Sequence, residues 1–76
     1  MTSQTGNRAS QQLYADLHDL CQPLTALQCR LEIGRMHGHE SALQEAVDGS
    51  LTETRRMFEI IFQMRQRLQR EEETAE

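Results

Sequence analysis

Leucines recur along the first half of the chain at Leu13, Leu17, Leu20, Leu24, Leu27 and Leu31, with spacings of 4, 3, 4, 3 and 4. This heptad rhythm predicts one amphipathic helix with a continuous apolar stripe. A second pattern runs through Leu43, Val47, Ser50, Thr54, Met57, Ile61, Met64 and Leu68, again in steps of 4 and 3. Leu51, Phe58 and Phe62 widen that stripe beyond a narrow seam. Between the patterns, Gly34 and Gly38 flank Arg35, Met36 and His37 and read as a turn. Ser41 with Gln44 has the form of a capping box and predicts a helix start near Ser41.

The elements expected are helix one at about 10–34, a turn at about 35–40 and helix two at about 41–71. A polar, frayed segment 1–9 and an acidic tail 73–76 flank them. The fold class is all-α, an antiparallel helical hairpin. One hairpin has too few layers to hide two wide apolar stripes. Two copies close a four-helix bundle, so a homodimer is expected. An antiparallel hairpin brings Met57 to Met64 to about the level of residue 18.

Composition supports helices over sheet. Aromatics are only 4% of the 76 residues, Trp is absent and there is one Pro. A monomer this short buries little surface by itself, which again favours a partner. The net charge is −4 and all eight basic residues are Arg. No basic stripe is available for nucleic acid. The Arg55–Arg70 stretch reads as the solvated flank of helix two. Cys21 and Cys29 lie eight residues apart on one helix, roughly 12 Å along its axis, too far to pair within it. They read as small helix-face residues in a reducing setting. No apolar run reaches the ~18 residues of a membrane span, and the polar start is not a secretory signal, so a cytoplasmic location without membrane contact is expected. His37 and His39 offer two ligands where structural zinc wants four, and read as part of a polar turn.

The chemistry concentrates in His18-Asp19-Leu20-Cys21-Gln22-Pro23-Leu24-Thr25. With the leucines in the apolar stripe, His18 turns roughly 100° away from Leu17, toward solvent. Tyr14, His18 and Gln22 stack along that exposed face. A neutral imidazole is a good nucleophile near neutral pH. A carboxylate on the other ring nitrogen fixes the tautomer, and Asp19 is the nearest candidate. Gln22 is suited to orienting a water. Pro23 removes one helical hydrogen bond, frees the Asp19 carbonyl and favours a bend beside the reactive face.

These residues resemble the phosphoacceptor box of two-component sensor histidine kinases, of the form His-Glu/Asp-Leu-x-x-Pro-Leu. His18, Asp19, Leu20, Pro23 and Leu24 match it, and Thr25-Ala26-Leu27 continues it. The resemblance spans about 10–70 and implies the dimerisation and histidine phosphotransfer hairpin of that family. It implies that His18 is the phosphoacceptor and Asp19 its acid/base partner. It assigns Gln22 to a position, often Thr or Asn, that places water for dephosphorylating a response regulator. Asp19 stands where Glu is commoner.

The resemblance further implies three partners: a second copy, a response regulator receiver domain, and an ATP-binding kinase domain in the same parent chain or in trans. ATP and Mg would belong to that separate domain. No glycine-rich nucleotide lid or Asp-x-Gly-x-Gly appears here, so no cofactor and no metal are expected on this chain, which is not a complete kinase alone. Two alternatives stand beside this reading. One is a stand-alone histidine phosphotransfer protein. The other is a non-catalytic, dimerising adaptor hairpin with a degenerate box.

Overall fold

The computed structural model describes residues 3–75. Two helices fill them, α1 (Ser3–His37) and α2 (Glu40–Ala75). They pack against each other as an antiparallel hairpin with Cα extents of 58 × 22 × 9 Å. The molecule is therefore long, two helices wide and one helix thick. All-helical architecture agrees with the two heptad patterns. None of the described helices is long and apolar enough to cross a membrane.

Both helices exceed the expected bounds. α1 is helical from Ser3, within the stretch expected to fray, and α2 continues through Ala75 into the acidic tail. Residues 1, 2 and 76 lie outside the described ones. The turn is shorter than 35–40, because only Gly38 and His39 stand outside the helices. Gly38 has φ of 73°, and its N–H donates to the Gly34 carbonyl at 2.9 Å. That is a left-handed C-terminal cap, which glycine adopts without steric cost.

His39 then caps α2. Its Nδ1 accepts from the Ala42 backbone N–H at 3.2 Å, satisfying one of the free donors of the first turn. The Ser41 hydroxyl donates to the same nitrogen at 3.0 Å. α2 thus begins at Glu40, one residue before the start expected near Ser41, and its cap is His39 because an imidazole nitrogen fills the role a serine oxygen usually takes. Ser41 sits in the second helical position and supports the cap instead of forming it.

Gly34 is not part of the turn. It is buried within α1, and a Cβ built on it would lie 2.5 Å from the Ala46 Cβ. Gly34, Ala42 and Ala46 let the helices approach closely beside the turn.

The seam between the helices is not the leucine stripe. On α1 it follows Asp16, Leu20, Pro23, Leu27, Arg30 and Gly34, which are buried or half-buried apart from the exposed Arg30. These have the same 4-3 rhythm, largely one residue out of phase with the leucines. On α2 it follows Ala42, Ala46, Gly49, Glu53, Ile60, Met64 and Arg67. Leu13, Leu17, Leu24 and Leu31 stay about half exposed, at 51, 47, 52 and 49%. The seam is too narrow for them near the turn and too polar further out. In an antiparallel pair, stepping one residue past the seam on each helix turns side chains to the same broad face. That face carries Leu13, Leu17, Leu24 and Leu31 together with Leu43, Val47, Ile61 and Leu68, all exposed. The buried hydrophobic residues of the hairpin are Ala42 and Ala46 alone among the described residues.

Replacing Gly34 with Val should lower stability by about 1–3 kcal/mol, the usual cost of overpacking. The measurement is the denaturant midpoint at fixed protein concentration, and an unchanged midpoint would refute the close approach.

Candidate functional site

Among the described residues, two ion pairs that join the helices stand out. Arg67 Nη2 donates to Asp16 Oδ2, and Gln12 Nε2 donates to Asp16 Oδ1 at 3.1 Å. Arg30 Nε donates to Glu53 Oε2 at 3.2 Å. Both carboxylates are buried, and the Glu53 side chain is 3% exposed. Gly49 leaves room for the Arg30 side chain, whose Nη1 would lie 2.5 Å from a Cβ at that position. Arg56 Nη1 stands 3.5 Å from Glu53 Oε1, close enough for electrostatic attraction but without hydrogen-bond geometry.

From one pair to the other, each helix advances 14 residues, or two heptads. The register is therefore constant along roughly 21 Å of helix. The box from His18 to Thr25 lies between the two pairs. The same register sets His18 level with Arg65, just beyond the Met57–Met64 stretch expected from helix lengths.

His18 is two residues past Asp16 and so points roughly 200° around α1, away from α2. It is exposed, as are Tyr14, Gln22 and Thr25 on the same edge. The Gln22 side-chain amide Nε2 lies 3.2 Å from His18 Nε2 and donates to it. His18, Cys21, Gln22, Thr25 and Ala26 line a shallow hollow of about 420 Å³. Cys21 and Cys29 are both free and exposed.

Asp19 is also exposed but turns the other way. It lines an open groove of about 520 Å³ on the broad face opposite the leucines, with Pro23, Glu53, Arg56 and Ile60 among its walls. No hydrogen bond or ion pair joins Asp19 to His18 in this arrangement. Gln22 and Ala26 border both hollows and separate them. Pro23 is buried toward α2, and α1 runs unbroken through it. Its missing N–H interrupts one backbone bond.

Away from the box, the His37 and His39 rings have centroids 6.0 Å apart and are tilted by 47°. No group of three or more His, Cys, Asp and Glu side chains could hold a metal among the described residues.

The buried ion pairs are absent from the sequence expectations. Arg67 belongs to a stretch expected to be solvated, yet it reaches across to Asp16. A signal was present: Asp16 and Arg30 share one heptad phase on α1, Glu53 and Arg67 share one on α2, and the charges are opposite in antiparallel order.

Replacing Arg30 with Met should cost about 1–3 kcal/mol, because it strips a buried carboxylate of its hydrogen-bonded partner. Adding Glu53→Met should recover much of that loss. Denaturant titration of the double-mutant cycle measures it, and strict additivity would show that the pair is not coupled.

No family model, no curated protein and no solved structure matches this chain.

Proposed function

We propose that this hairpin is the phosphoacceptor and dimerisation module of a two-component signalling system, working in the cytoplasm. The observation that carries the reading is His18 itself. It stands exposed on the edge of α1 facing away from α2, inside the His-Asp-Leu-x-x-Pro-Leu box, with Nε2 engaged, among the described residues, by a neutral amide. A nucleophile that must meet an active site on another domain needs that exposure. In the reaction, the Nε2 lone pair attacks the γ-phosphorus of ATP held by a kinase domain. The phosphorus–oxygen bond to ADP breaks, its electron pair leaves with ADP, and the proton on Nδ1 passes to a base. Asp19 can take that role after a side-chain rotation out of its groove. The phosphoryl group then moves to an aspartate of a response regulator receiver, and Gln22 orients the water when the flow reverses.

The second half of the proposal is the homodimer. The chain exposes 6588 Å², whereas a globular monomer of 8.8 kDa exposes about 4,800 Å². The excess of about 1,800 Å² per chain is what an obligate homodimer buries. A second copy laid on the leucine face gives a closed four-helix bundle and leaves His18 outside it.

The first test incubates the protein with an active histidine kinase domain and γ-labelled ATP. Acid-labile label should appear on the wild type and vanish in His18→Ala. Label retained in the variant would overturn the phosphoacceptor assignment, and a labelled protein that transfers nothing to any receiver would leave a dead-end acceptor. A stable dimer without label would favour the adaptor hairpin.

Sedimentation equilibrium tests the dimer. The wild type should weigh twice its 8.8 kDa chain mass, and Leu24→Glu should shift it to monomer with loss of helical signal. A folded wild-type monomer would refute this half of the proposal.

A further inference from the structure

We infer that Gln22 is a positioning residue that sets the tautomer of His18, keeping the ring proton on Nδ1 and the lone pair on Nε2. The inference deepens the phosphoacceptor reading and draws its chemical meaning from it, but it concerns the resting protein.

The argument starts from the contact. Gln22 Nε2 and His18 Nε2 are 3.2 Å apart. The amide NH₂ has two donors and no acceptor capacity, so the imidazole nitrogen facing it must supply the lone pair. A neutral imidazole has one N–H, which then sits on Nδ1. The spacing makes the contact local. Residues four apart on a helix are neighbours, and no other element is needed to bring them together. Two features of the site hold the pair apart from competitors. Asp19, the acceptor that could reclaim the proton for either nitrogen, is turned into the opposite groove. Arg67, the cation at the same end of the box, is bound to Asp16 in the seam. His18 meets neither a carboxylate nor a guanidinium among the described residues, so the Gln22 amide is the polar side chain that biases its ring.

The bias has a use. Nucleophilic attack requires the lone pair on the nitrogen that meets phosphorus. An imidazole with its proton on Nε2 presents the wrong group at the outer edge of α1. With the amide donating to Nε2, the lone pair is already held on that nitrogen, facing Gln22. A rotation of Gln22 about its own side-chain bonds frees it. The amide N–H then faces the incoming phosphoryl oxygens as a donor.

The test is ¹⁵N NMR of the imidazole of His18 in the intact 76-residue chain at about pH 8.5, where an ordinary imidazole is neutral. Nitrogen shifts and two-bond couplings distinguish N–H from bare N at each ring position, and His18→Ala assigns the signals. The ratio of Nδ1–H to Nε2–H forms should fall about twofold in Gln22→Leu, the scale of an exposed i, i+4 side-chain hydrogen bond. It should fall further in Gln22→Glu, whose carboxylate only accepts and recruits the proton to Nε2. A packing role for Gln22 would leave the ratio unchanged in both variants, and that result would overturn the inference. A ratio that rises in Gln22→Leu would overturn it as well, because it would mean that the amide presents its oxygen. The readout involves no phosphate, so it stands or falls separately from labelling of His18.

Discussion

The hairpin depends on two carboxylates held away from water. Asp16 and Glu53 are each anchored by an arginine from the opposite helix, and the two pairs sit two heptads apart. A buried carboxylate without a partner is costly, whereas a mispaired leucine merely loses some contact area. Sliding α2 along α1 by one helical turn would break both pairs together. The ionic seam therefore specifies one register, while the apolar residues alone would tolerate several. It does so at the expense of hydrophobic burial, since the seam holds glycine, alanine and charge where leucine could have been.

That trade accounts for the exposed leucines. With the seam given over to small and charged residues, the large apolar side chains move to one broad face of a molecule that is a single helix thick. The two broad faces then differ in kind. One is a sheet of leucine, valine and isoleucine. The other carries the groove of Asp19, Glu53 and Arg56. His18 lies on the edge between them. In the proposed dimer this edge stays open to solvent, and the acidic groove stays beside it.

The helices and their antiparallel order were legible in the sequence because heptad spacing reports helical period directly. Exposure of His18 was legible for the same reason, given the leucines as a reference direction. The angular position of the seam was not. Asp16, Pro23 and Arg30 lie one residue before Leu17, Leu24 and Leu31, and a polar phase carries no signal in a search for apolar repeats. The expected turn is longer than the observed one because Gly34 has two physical meanings, a break in a helix or a close approach between helices, and only the position of Ala46 decides between them. His39 as a cap was hidden by Ser41, a commoner capping residue two positions on. The orientation of Asp19 was also beyond reach, since adjacent residues on a helix diverge by roughly 100° and neighbours in sequence need not be neighbours in chemistry.

The two-residue turn has a mechanical consequence. Gly38 and His39 leave almost no slack, and each is committed to a cap, one closing α1 and the other opening α2. Together with the ion pairs, they make longitudinal shear between the helices stiff at three points along the rod. A torque or displacement applied at the open end, where Ser3 and Ala75 lie, has no soft sliding mode to dissipate into. It must travel as bending or rotation of both helices together, which carries the edge bearing His18 through an arc instead of along a line.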